Sequence, residues 1–346
     1  MRSSAHDAVP RVGVLLINLG TPSAPTPKAV RAYLREFLSD PRVVEIPRAI
    51  WLPLLYGVIL NTRPRQSAHK YQTIWTPEGS PLLVNTARQT AALRESLGKA
   101  LGQPIEVAFG MRYGNPSIGE AVDALLAVHC DRLLVIPLYP QYAASTTATA
   151  VDRLAHVLRG VRNVPALRVT KHFHDHPAYI EAVAASIRAH WATHGRPNML
   201  VMSFHGLPRI THERGDPYFS ECQVTAGLIA RSLALNDTDW RITFQSRFGR
   251  ARWLEPYTAS VLTELGRAGT QKVDVVCPGF VADCLETLEE IGVEGKTLFM
   301  GAGGGELRLI PCVNDSAEWI HALTQLAQEN LSPWLNEANA STHLRA

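Results

Sequence analysis

The chain has 346 residues, 46% of them hydrophobic and 19% charged, and its 34 basic and 31 acidic side chains leave a formal charge of +3. At ~150 residues per domain this suits roughly two domains, and the composition excludes disorder, collagen-like repeats and coiled coil as global descriptions. No run of Lys/Arg supplies the electrostatic footprint of a nucleic-acid binder, so that partner is not expected.

In chain order, the polar stretch Met1–Arg11 has no apolar core or cleavage site, and no secretory leader is expected. A strand is predicted at Val12–Leu19 and a helix at Lys28–Leu38. The most apolar stretch, residues 49–60, is well short of the ~20 residues that span a bilayer and is interrupted by Pro53 and Gly57. It reads as an apolar lip over a ligand or, equally, as an extra helix patched onto the core. Then come a helix at Val84–Leu101, a strand at Glu106–Arg112, a helix at Ile118–His129, a strand at Arg132–Leu138, a helix at Ala148–Leu158 and a strand at Leu167–His172. The rest reads as a helix at Ala178–Trp191, a strand at Met199–Phe204, a helix at Phe219–Leu233, a strand at Arg241–Gln245, a helix at Ala259–Arg267, and strands at Val273–Cys277 and Leu307–Pro311. Strands that are continuous apolar runs separated by helices imply parallel sheets covered on both faces, a doubly wound α/β class.

Three signatures recur in the same order in each half. They are a strand ending in Gly (Asn18-Leu19-Gly20; Phe204-His205-Gly206), Phe-x-x-Arg-aromatic-Gly (Phe109 to Gly114; Phe244 to Gly249), and a strand ending in Pro137 or Pro278. Two related Rossmann-like domains facing each other across a cleft are therefore expected. They are placed at residues 1–165, with the apolar insertion, and 166–310, with a C-terminal helix and tail at 311–346 expected to pack back on the first domain. Cys130, Cys222, Cys277, Cys284 and Cys312 are scattered and form no CxxC pair, so neither a zinc knuckle nor a disulfide framework is indicated. A reducing, cytoplasmic setting is expected on that ground.

Ligands of open α/β sheets bind beyond the carboxyl ends of strands. His205, just past a strand and followed by Gly206, falls on such a rim, although a lone histidine is more often structural. After Pro278 the chain is expected to enter a helix with Asp283, Glu286 and Glu290 on one face. Asp283 alone would answer the helix dipole. A longer carboxylate track beside an imidazole suits an exchangeable Fe²⁺-like ion. Among these strings the imidazole is the side chain that ordinarily titrates near neutrality, ~6.5, and so suits a proton acceptor.

Several strings together carry a family resemblance: Leu16-Ile17-Asn18-Leu19-Gly20-Thr21-Pro22, Arg112-Tyr113-Gly114-Asn115-Pro116, Leu138-Tyr139-Pro140-Gln141-Tyr142, Ser203-Phe204-His205-Gly206-Leu207-Pro208, and Pro278-Gly279-Phe280 through Glu286-Thr287-Leu288. The chain resembles ferrochelatase, which inserts ferrous iron into a porphyrin in haem synthesis. The resemblance implies a two-lobed chelatase fold with porphyrin and Fe²⁺ as substrates. It implies His205 and Glu286 as the catalytic pair and iron site, and Asp283 and Glu290 as a secondary acidic path. Leu19, Tyr71, Arg112, Tyr113, Tyr142 and Trp253 are implied to line or support the porphyrin cleft. Cys284 stands where many members carry His, so any role of that His does not transfer. With Ala144 in the region of a further cluster ligand and no cysteine after Cys312, no iron–sulfur cluster or other permanently bound cofactor is expected. Rival readings are a chelatase for coproporphyrin or for cobalt, and a non-catalytic porphyrin-binding protein; the Glu286/Glu290 track speaks against the last. A monomer or homodimer is expected, with peripheral membrane contact through residues 49–60.

Three further patterns are given bland readings. His172-Phe173-His174-Asp175-His176 alternates like metal ligands but sits where one half joins the next, as a linker. His190 and His194 read as an exposed helix face, and Gly301–Gly305 as a turn, since no Lys-Ser/Thr follows it.

Overall fold

The structure is a computed structural model that describes residues 11–343 other than Arg250. Strands β1 (Arg11–Gly20), β2 (Glu106–Tyr113), β3 (Cys130–Pro137) and β4 (Ala166–Val169) form one parallel sheet in the order β2-β1-β3-β4. Strands β5 (Met199–His205), β6 (Trp240–Gln245), β7 (Lys272–Val276) and β8 (Glu306–Leu309) repeat that order as β6-β5-β7-β8. Each expected strand is present, with differences confined to its ends.

Period-two alternation explains why the strands read as unbroken apolar runs. On β1 and β3, Leu15, Ile17, Leu133 and Val135 pack against α5 (Ile118–Ala127) and α6 (Thr149–Leu158). Val14, Leu16, Leu134 and Ile136 face the other way, into a core shared with Leu200, Met202 and Phe204 of the second sheet. The outer face of that second sheet is covered by α10 (Thr258–Arg267) and α12 (Lys296–Gly301) through Val261, Leu262 and Phe299. Truncating a fully buried side chain such as Leu16 to Ala is expected to cost ~2–5 kcal/mol.

Between β1 and β2 lie α1 (Pro27–Leu38), α2 (Arg48–Leu54), a π-helical turn at Leu55–Ile59, α3 (Leu60–Ile74) and α4 (Pro81–Leu101). Trp51 anchors the insertion, its Nε1–H donating to the Leu38 carbonyl at 2.7 Å, and Leu55, Ile59 and Leu60 bury around it. Ile50, Leu54, Tyr56 and Val58 stay exposed, Ile50 to 65%.

One expected boundary is corrected. β4 is in register with β3, Leu133 opposite Leu167, so the first sheet continues past residue 165. The chain crosses over along α7 (Pro177–His194), whose Trp191 Nε1–H donates to Asp274 Oδ2 on β7 at 2.8 Å. The second half adds α8 (Arg209–Glu213), α9 (Tyr218–Ser232) and α11 (Leu285–Leu288). The last helix, α13 (Ala317–His343), returns to the first half, where Thr324 Oγ1 donates to Ser96 Oγ at 2.9 Å and Arg132 to the Trp334 carbonyl at 3.1 Å. Each half thus ends in a helix docked on the other half, which fixes the two sets of strand ends relative to each other.

Candidate active site

The carboxyl ends of β5, β6 and β7 converge on His205. Its Nδ1 lies 2.7 Å from the Gly206 carbonyl. A carbonyl only accepts, so Nδ1 carries the hydrogen and the basic lone pair is on Nε2. The His205 carbonyl accepts from Tyr218 Oη–H at 2.9 Å, which fixes the backbone that carries the ring. Gly206 is required by close approach: a Cβ there would stand 2.5 Å from the Gln245 carbonyl and 3.1 Å from the Trp253 ring.

Glu290 is held by β6's end. Ser246 donates to it through its backbone N–H and its hydroxyl, both at 2.6 Å, while Gln245 Nε2–H donates to the Glu286 carbonyl at 2.6 Å. Burial raises the Glu290 pKa above the ordinary carboxylate value. The Ser246 hydrogen bonds and the His205 charge oppose that rise, and the Glu286 charge adds to it. The charges of His205 and Glu286 thus both act on Glu290, whose burial favours its protonated form.

Asp283 is not part of it. The helix begins only at Leu285, after Cys284, so the expected common face does not extend back to Asp283. The buried Asp283 carboxylate instead accepts from Thr287 Oγ1 at 2.9 Å, Asn314 Nδ2 at 2.7 Å and the Cys312 N–H at 3.3 Å, which occupies it structurally. Cys284 is also buried, and burial and the Glu286 charge push its thiol pKa up, so it remains a thiol.

On the first half, Leu19 is half-buried at the end of β1. Tyr71 is buried beside Val30 and Ala68, with Leu285 packed on the same cluster. Burial and then the Glu286 charge raise its phenol pKa. Arg112 is held by protein contacts: its Nε–H donates to Thr149 Oγ1 at 2.7 Å, and its guanidinium also pairs with Asp40. Tyr113 is fully buried, its hydroxyl donating to Asp40 Oδ2 at 2.9 Å. Tyr142 is half-buried, its N–H donating to Glu221 Oε2 at 2.7 Å. Trp253 is half-buried against Gly206, with its Nε1 buried and unpartnered. His190 also departs from its exposed reading, its side chain 11% exposed and its Nε2 3.9 Å from Asp274 Oδ2.

The residues that hold the carboxylates, Gln245 and Ser246, lie inside a repeated string that signals them, Phe244-Gln245-Ser246-Arg247, but the string assigns them no role. Asp40 carries no sequence signal at all.

A family model described as Ferrochelatase matches residues 11–331. The chain belongs to the ferrochelatase family. It is 54% identical over 99% of its length to a ferrochelatase of Aromatoleum aromaticum, covering 93% of that protein. It is 57% identical over 95% of its length to one of an Azoarcus species, covering 90% of it. Among solved structures, the SirB protein of Bacillus subtilis with Fe³⁺ superposes with a TM-score of 0.55 over 92% of this chain and 95% of that one, at 14% identity. The sirohydrochlorin chelatase SirB in complex with cobalt gives 0.53 over 93% and 97%, at 13% identity. These two likenesses speak to the fold, two Rossmann-like halves of chelatase type. As a member of the ferrochelatase family, the chain is a ferro-lyase of haem biosynthesis.

Proposed function

We propose that the chain inserts Fe²⁺ into protoporphyrin IX between its two halves, with His205 as proton acceptor and iron contact and Glu286 and Glu290 guiding the metal or the protons. Two pyrrole N–H bonds break, four Fe–N bonds form as the ion sheds its water ligands, and two protons leave, so the site must accept protons beside a cation. The observation that carries this reading is the tautomer at His205, which leaves the Nε2 lone pair free, together with a Glu290 carboxylate whose burial favours the protonated form and on which the His205 charge acts. Bending of the macrocycle on cleft closure would expose its nitrogens, the strain being met by binding elsewhere on the ring. His205→Ala is expected to lower insertion ~10²–10⁴-fold with an unchanged circular-dichroism spectrum. The assay is loss of free-base porphyrin fluorescence under anaerobic Fe²⁺, run in parallel with coproporphyrin to separate the two rings. Retained turnover in the variant removes His205 from the mechanism.

The exposed side chains Ile50, Leu54, Tyr56 and Val58 support peripheral contact with the inner face of a membrane by a cytoplasmic protein. No described helix is long and apolar enough to cross one.

A further inference from the structure

We propose that His172, His174 and Glu221 form a second divalent-cation site, separate from His205 and Glu286, for a late first-row ion such as Zn²⁺ or Co²⁺. The segment after β4 is pinned by Phe173, whose N–H donates to the Pro140 carbonyl at 2.9 Å and whose ring packs in the core 5.7 Å from Trp319. Alternation places the flanking histidines together on the other side, their ring centroids 4.8 Å apart. Glu221 reaches them from α9 on the second half. Its Oε1 lies 2.6 Å from His172 Nδ1 and its Oε2 3.5 Å from His174 Nδ1. One donor atom from each of the three residues lies within 4.8 Å of the others. An ion with bonds of ~2.0–2.2 Å to imidazole nitrogen and carboxylate oxygen would draw such donors together with side-chain shifts of about 1 Å.

Protein contacts alone leave this cluster unfinished. His174 is 8% exposed, yet its Nδ1 is buried with no hydrogen-bond partner. Such orphaned groups are rare and call for a reason, and a cation shared with the adjacent carboxylate supplies one. Asp175 Oδ1, 3.8 Å from His174 Nδ1, is available as a fourth ligand. Tyr142 N–H, donating to Glu221 Oε2 at 2.7 Å, orients the carboxylate from behind. The ion replaces the proton between His172 and Glu221, which passes to water. Two imidazoles with one carboxylate suit Zn²⁺ or Co²⁺ better than Mg²⁺ or Ca²⁺, which prefer all-oxygen sets.

The test is titration of the full chain, without porphyrin, with Co²⁺, whose visible absorption reports nitrogen ligation. His205→Ala is expected to keep one bound Co²⁺ and its spectrum. His172→Ala, at a half-exposed position compatible with folding, is expected to lose both, and Glu221→Gln to weaken binding tenfold or more. The site is overturned if His205→Ala shows no Co²⁺ spectrum, or if folded His172→Ala binds the ion as tightly as His205→Ala does.

Discussion

The two halves share a sheet order and the same closures at their strand ends, but they use them differently. A Cβ on Gly20 would stand 1.7 Å from the Tyr113 carbonyl of the neighbouring strand, just as one on Gly206 would collide with that of Gln245. The repeated Gly therefore has one physical cause in both halves: it lets the chain leave the central strand hard against the next one. Past that glycine the halves diverge. In the first half the polar groups turn inward, Asp40 collecting Arg112, Tyr113 and Thr149 into a buried network. In the second half the strand ends carry His205, Glu286 and Glu290, all half-buried. The duplicated scaffold thus surrounds equivalent positions differently, with a buried ion-pair network in one half and titratable groups at the strand ends in the other.

Arg112 and Arg247 occupy the same place in the repeat and offer the sharpest way to break this comparison. Arg112 is 13% exposed and faces an Asp40 carboxylate that is 5% exposed. Arg112→Ala leaves that charge buried and unpaired, and a loss of ~3–5 kcal/mol is expected in urea denaturation. Arg247 is exposed with its guanidinium 4.7 Å from the Tyr257 ring, so Arg247→Ala is expected to cost under ~1 kcal/mol. Equal losses would erase the distinction between the two halves. Burial acts to raise the Asp40 pKa, but hydrogen bonds from Thr149, the Arg42 N–H and Tyr113, with the Arg112 charge, hold it below the ordinary value. Its stabilisation is therefore present above the unfolded value of ~3.9 and is lost as pH falls through the folded one. The Arg112→Ala penalty should shrink on the same descent, because a protonated Asp40 no longer needs a cation.

The sheets were legible in the sequence because a strand buried on both faces leaves an unbroken apolar run, and the repeated Gly and Pro mark where each run stops. His205 was legible for the same reason, as the first polar residue past such a run. The carboxylate register was not. Helical spacing from Asp283 assumes a helix already under way, whereas the single turn of α11 starts two residues later and passes into a π-helical turn at Glu290–Gly295. Nor did any local pattern join Asp40 to Arg112, or Glu221 to His172, since both pairings are made by packing of distant segments.

Glu290 gives a subtler separation of the halves. Its pKa is raised where that of Asp40 is lowered, so the folded chain holds its proton more tightly than the unfolded one and its contribution to stability falls as pH rises from the unfolded value, ~4.3, through the folded one. Glu290→Gln keeps an acceptor for Ser246 without the buried charge. Relative to the parent it should be more stable at neutral pH, an advantage that shrinks as pH falls through the raised folded value and the parent carboxyl takes up its proton. A gap between the two proteins that does not change with pH would mean that desolvation does not govern this residue.

The smallest effect is expected where the halves touch. Lys70 on α3 lies 3.1 Å from Glu289 and 2.6 Å from Glu294, both beyond α11, and so ties the insertion to the acidic segment. Glu289 is 8% exposed, and burial raises its pKa while Lys70 lowers it. Lys70→Met removes the cation paired with that carboxylate. With Glu294 half in solvent and water able to reach part of the lysine, the loss should be about 1 kcal/mol, near the upper end for a partly exposed pair. It should be larger at pH 8 than at pH 5, because a protonated Glu289 has no charge to neutralise. Lys70→Arg should restore most of it, so a loss in both variants, or one equal at the two pH values, would assign the effect to packing of the lysine stem and leave the halves joined by other contacts.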